Sequence, residues 1–300
     1  MDFVAPVLNY ALLAPILIVL AGALIGVLIE AFAPRASRHN SQLFITVASL
    51  VVALAALLRV RNQVSSSAAM SSVAFDGAGF LLQGSILIIA ILSVFLIADQ
   101  ENFTALAAAV PGSEEERNSL QADLRVTEVY PLTLFAVAGM LLFPLSSDLI
   151  TLFVALEMLS LPLYLMAGLS RRRRLMSQES ALKYFLLGGF ASAIFIYGVA
   201  LIYGATGTTT LTGVAYFLGA TTPAHPGLLW AGGALLLVGF AFKVAAVPFH
   251  LWSPDVYQGA PLPCAAFIAS GSKVASFYIF AKMIFFGFNQ LGWGHTDGTI

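Results

Sequence analysis

Charge is scarce in this chain: Asp, Glu, Lys and Arg make up 10% of its 300 residues, against 59% hydrophobic residues. No soluble globular domain of this size is built that way, so an integral membrane protein is implied. Cysteine occurs once, as Cys264 in PLPCAAF, which excludes a disulfide framework and a thiolate metal cluster; a buried, passive thiol is expected. Neither phosphate-loop nor dinucleotide-binding glycine spacing occurs. The ten-residue alternation of an outer-membrane barrel is also missing. A net charge of -1 says little about partners, and no nucleic acid is expected among them.

What the chain has instead is apolar blocks separated by short polar joints. Blocks of about 17 to 25 residues fit helices crossing a hydrocarbon core about 30 Å thick. The expected fold is all-α, a polytopic transmembrane bundle of about eight spans. Spans 1 to 3 cover about Leu8 to Phe32, Leu43 to Leu58 and Ala78 to Ala98. Spans 4 to 6 cover about Val129 to Pro144, Leu149 to Leu169 and Ala181 to Tyr203, and spans 7 and 8 about Leu228 to Val247 and Leu262 to Phe288. The first lacks the basic flank and small-residue cleavage site of a secretory signal, so it is expected to be retained.

This gives four parts: N-terminal helices over 1–98, a hydrophilic cytoplasmic loop over 99–128, a five-helix unit over 129–288 and an external tail over 289–300. The loop reads as solvated, or as a docking surface. The stretch GATGTTTLTGVAYFLGATTPAHPG has room for a short surface helix, and Gly188, Gly189 and Gly198 permit close packing of span 6. Arg35, Arg38 and Arg171 to Arg174 fall on one side of the alternating topology, whereas Arg59 and Arg61 adjoin the other. The positive-inside rule places the richer side in the cytoplasm and the N-terminus outside.

Every arginine lies in a joint or at a span end, whereas all four lysines, Lys183, Lys243, Lys273 and Lys282, lie inside spans. Topology alone does not produce that division, because both residue types serve it equally. A lysine can gain and lose a proton near neutral pH when buried; an arginine cannot. An ammonium near the bilayer centre costs about 2.5 to 3.5 kcal/mol even on lenient scales, so a partner, a wet cavity or an ion path is implied. Glu157, mid-span in LFVALEMLSLPLY, is the acidic counterpart and must be protonated or paired. Pro162 frees a carbonyl beside it.

Lys243 precedes Pro248, where the polar stretch HLWSPDVYQGAPLP follows. If that stretch dips back into protein, span 7 is a broken helix of the kind transporters use at binding sites. Lys273 sits deep in span 8 behind Ser270, Gly271 and Ser272, and Lys282 approaches the outer boundary. Lys183 either snorkels, pairs with Glu157 or links to Lys243. His250 reads as a proton relay or gate, or as a satisfied polar residue in the break, with Ser253, Asp255 and Tyr257 near enough to hold water. Ionisable groups on four successive spans point to proton or cation translocation, each group's charge state biasing the next. A static ion pair that only fixes packing is the plainer alternative.

The stretches LFVALEMLSLPLYLMAGL, ESALKYFLLGGFASAIFIYGVALIYGATGT and GFAFKVAAVPFHLWSPDVYQGAP resemble the antiporter-like membrane subunits of proton-pumping NADH:quinone oxidoreductase, respiratory complex I. The resemblance is strong over about Tyr130 to Asn289 and looser before it. It implies inverted five-helix repeats, of which the second would follow Ile300. Glu157, Lys183, Lys243 and Lys273 match the family's glutamate, span-6 lysine, broken-helix lysine and connecting lysine. It implies no cofactor on the subunit itself, with NADH, FMN, iron–sulfur clusters and quinone used elsewhere in the complex. It also implies neighbouring antiporter-like and small membrane subunits as partners, in a bacterial plasma membrane. A cation/proton antiporter subunit and an independent secondary transporter are the rival readings.

Overall fold

The computed structural model describes residues 8–63, 66–69, 72–99, 112–114, 117, 126–170, 174–220 and 226–284. Most of the 99–128 loop, Arg171 to Arg173, His225 and the tail from 285 lie outside them.

Helices α1 (Tyr10–Phe32), α2 (Arg35–Val60) and α3 (Gly77–Ala98) correspond to the first three spans. Helix α2 starts directly after Pro34, well before the expected Leu43. Asp76 caps α3 by accepting the Gly79 N–H at 2.6 Å, and Asp148 caps α5 (Leu149–Ala167) by accepting the Ile150 N–H at 2.6 Å. Helix α4 (Val129–Leu142) ends in a 3₁₀ turn, Phe143–Leu145. It is apolar almost all round and buried along its length, which makes it the central helix.

Among the described residues, seven helices are long and apolar enough to cross a membrane, and Val129–Leu145 is a shorter apolar one. Together they match the eight expected spans, and the chain is a multi-pass membrane protein. Their outer faces carry exposed Leu28, Phe44, Leu81, Phe95, Phe190 and Trp230, which suit lipid rather than water.

Helix α6 (Arg174–Thr206) has 33 residues, about 50 Å at 1.5 Å per residue, so it outruns the hydrocarbon on the arginine-rich side. A short helix, α7 (Leu211–Ala220), fills the glycine- and threonine-rich joint. Its Leu211, Val214 and Leu218 share an apolar pocket with Ile202 and Leu229. Helix α8 (Pro226–Val244) stops before Pro248; Ala245 has φ +59°. The chain then turns through Val247–Leu251 into α9 (Trp252–Gly259), so span 7 is broken as expected, three residues early. Span 8 is α10 (Leu262–Phe267), a π turn over Ile268–Ser272, and α11 (Lys273–Lys282).

Helix crossings are set by glycine. A Cβ on Gly139 would stand 2.3 Å from the Leu159 backbone nitrogen, so α4 and α5 touch backbone to backbone. Gly198 meets the Gly232 carbonyl between α6 and α8 in the same way, whereas Gly189 faces open space and takes no part. A two-stranded hairpin, β1 (Ser66–Ala68) with β2 (Val73–Phe75), closes the other side, and Val73 bridges to Ser146.

Candidate functional site

Helix α5 presents Glu157, Ser160 and Tyr164 at three- and four-residue spacing, hence on one face. Across from them α6 presents Tyr184, Gly188 and Ser192, and the absence of a side chain at Gly188 leaves room for the Tyr164 hydroxyl. Ser192 donates its hydroxyl hydrogen bond to Glu157 Oε1. Lys243, 3% exposed at the end of α8, donates from Nζ to Ser160 Oγ at 2.6 Å. Ser160 in turn donates to the Leu156 carbonyl. The ammonium therefore rests on a hydroxyl three residues from Glu157 on the same face of α5.

Lys273 opens α11 directly after the π turn, an irregularity frequent at functional sites. Its Nζ donates to the Lys243 carbonyl at 3.1 Å and lies 4.6 Å from the Trp252 ring centroid. Ser272 and Ser276 return their own hydroxyls to the helix, to the Ile268 and Ser272 carbonyls at 2.8 and 2.6 Å. Lys243 and Lys273 are thus tied to the helix that carries Glu157 through Ser160 and a main-chain carbonyl.

Lys183 is elsewhere. It meets Asp255 Oδ2 at 2.7 Å and Glu179 Oε1 at 2.6 Å, tying α6 to α9 at the arginine-rich end. His250 lies in the turn before α9, its Nδ1 enclosed and without a hydrogen-bond partner among the described residues. Lys282 donates to the Pro144 and Ser146 carbonyls at 3.1 and 3.4 Å, which seats it at the far end of the bundle. Cys264 is free and buried.

Four contributors went unread in the sequence. Ser160 and Tyr164 share the helical face of Glu157, a signal available from spacing alone. Ser192 and Trp252 carried none, because their roles depend on which face of a neighbouring helix meets α5 or α11.

A second polar cluster joins α1, α2 and the start of α4. Glu30 accepts from Arg38 at 2.8 Å, from Gln42 at 3.1 Å and from Thr127 at 2.7 Å, and Tyr130 meets His39 at 3.3 Å.

Residues 146–295 match the family model described as NADH:quinone oxidoreductase/Mrp antiporter, TM. The chain is 49% identical over 294 residues to a protein named NADH-quinone oxidoreductase subunit N from Acidothermus cellulolyticus, covering 96% of this chain and 56% of that one. The protein of that name from Mycobacterium tuberculosis is 47% identical over 304 residues, covering 94% and 57%. The chain thus spans about half the length of the curated relatives it matches. Among solved structures, respiratory complex I from Thermus thermophilus with bound aureothin superposes with a TM-score of 0.67 at 34% identity, covering 89% of this chain and 52% of that one. The Mrp complex from Dietzia shares the fold, with a TM-score of 0.67 at 23% identity and coverage of 92% and 49%.

Proposed function

Because this chain belongs to the family of NADH:quinone oxidoreductase and Mrp antiporter transmembrane subunits, we propose that it is a proton-translocating membrane subunit of an NADH:quinone oxidoreductase, the role of its subunit N relatives. Electron transfer from NADH through FMN and iron–sulfur clusters to quinone takes place in other subunits. This subunit handles the protons, beside neighbouring antiporter-like and small membrane subunits in the plasma membrane of a bacterium, with its N-terminus outside.

The observation that carries the reading is the pair of hydrogen bonds that joins Lys243 to Ser160, three residues from Glu157 on one face of α5, and Lys273 to the Lys243 carbonyl at the broken end of α8. A carboxylate and two amines can each hold or release a proton, and in so close a group the charge state of one biases the next. The Lys243 ammonium donates to Ser160 on α5 while the Lys273 ammonium rests on the Lys243 main-chain carbonyl, so the relay runs from α5 toward α11. Lys183 with Asp255 stands at the arginine-rich entrance, and His250 in the break is the group next to receive water.

The test is NADH-driven proton uptake by vesicles carrying the assembled complex. Glu157→Gln and Lys243→Ala each remove one member of the relay and are expected to lower uptake about tenfold or more, the scale of a charge-assisted hydrogen bond. Normal uptake with both changes would sink the relay. A cation/proton antiporter is the second reading, because the matching family model covers both; sodium dependence of the uptake would favour it.

A further inference from the structure

The last carbonyls of an α-helix have no partner within it, and α8 ends inside the protein. Two neighbouring carbonyls there are taken by two different side chains. The Phe242 carbonyl accepts the Trp252 indole N–H at 2.9 Å, and the Lys243 carbonyl accepts the Lys273 ammonium at 3.1 Å. Indole and ammonium consequently face each other, Nζ 4.6 Å from the ring centroid, within the range of a cation–π contact.

The ring has little freedom. It is 1% exposed and stacks on Tyr184 at 4.6 Å and 6°, while Tyr184 is held edge-on by Tyr164 at 4.5 Å. Helix α9, which carries Trp252, is held to α6 at its middle and at its end. Asp255 pairs with Lys183, and Gly259 packs against Ser180 and the Met176 carbonyl. A flexible lysine side chain thus lies against a rigid aromatic surface and a rigid carbonyl.

We propose that Trp252 is a positioning residue that holds the Lys273 ammonium on the Lys243 carbonyl and so fixes the distance over which the two lysines exchange a proton. The inference rests on the relay reading above. It accounts for an aromatic face in the polar break, where an aliphatic side chain would offer the ammonium none.

The test compares Trp252→Met, which keeps bulk without a π face, and Trp252→Phe, which keeps a face without the indole donor, in the assembled complex. Proton uptake is measured per NADH oxidised, on preparations matched for assembled complex. The Met variant is expected to lose about tenfold and the Phe variant about two- to threefold. Neither should lose more when combined with Lys273→Ala, since both act through that lysine. If the Met variant does not assemble, the Phe variant with and without Lys273→Ala carries the same comparison. Wild-type uptake in the Trp252 variants, or losses that multiply with that of Lys273→Ala, would overturn the positioning role. Normal uptake by Lys273→Ala alone would instead remove the relay reading beneath it.

Discussion

At the scale of single residues, Ser160 is the joint on which the site turns. It accepts from Lys243 and donates to the Leu156 carbonyl, and a hydrogen bond to a charged group is worth about 1.5 to 3 kcal/mol. Ser160→Ala should therefore lower NADH-driven proton uptake about tenfold or more, whereas Ser160→Thr, which keeps the hydroxyl, should retain most of it. Lys243→Arg separates a relay from a static ion pair. Arginine keeps the charge and cannot release the proton, so uptake is expected to fall as far as in Lys243→Ala. Uptake near wild type in the Arg variant would mean that charge alone matters there. Much of this was legible beforehand. The placement of all lysines inside spans and all arginines outside them marked Lys183, Lys243, Lys273 and Lys282, and its mid-span position marked Glu157. The partner of Lys183 was not legible, because Asp255 is 72 residues away and reaches it only when α9 folds back on α6.

At the scale of elements, glycine positions divide into those that carry a crossing and those that do not. At Gly139 any added carbon strikes the Leu159 backbone, which cannot rotate away as a side chain would. Gly139→Ala is expected to destabilise the subunit by about 1 to 3 kcal/mol, read as a lower unfolding temperature in detergent and less assembled complex. Gly189 has nothing within 4 Å, and there alanine relieves a helix penalty of about 1 kcal/mol, so Gly189→Ala should unfold at the same temperature or higher. The sequence pointed to Gly189 and not to Gly139; only the crossing shows which of them is packed. Span cores were recognisable from hydropathy, while their ends were not. Helix α2 starts early, directly after Pro34, α6 starts early ahead of its Glu179–Lys183 ion pair, and the β1–β2 hairpin is joined to the bundle by the Val73–Ser146 bridge.

At the scale of the whole molecule, the ends of successive spans collect on two faces. Glu30, Arg38, Thr127, Lys183 and Asp255 lie on one; the hairpin, the Pro144 to Ser147 turn and Lys282 lie on the other. In the sequence, the joints that belong to the first face also hold most of the arginines, so that face is expected in the cytoplasm. Because Cys264 is buried, single cysteines can be read against a silent background. With a membrane-impermeant thiol reagent on intact cells, Asn62→Cys should be labelled and Gln178→Cys spared. The opposite pattern would invert the topology.

Sequence by itself determined that this is a helical membrane protein, roughly where its spans run, and which few charges stand inside the hydrocarbon. Each of those rests on a cost incurred at the residue itself, the transfer of its own side chain and backbone out of water. Tertiary structure alone decided that Lys243 rests on Ser160, that Ser192 serves Glu157, that Lys183 belongs to Asp255 and that Trp252 faces Lys273. Those pairings depend on the rotation and depth of each helix against its neighbours, which glycine contacts and the broken end of α8 set together.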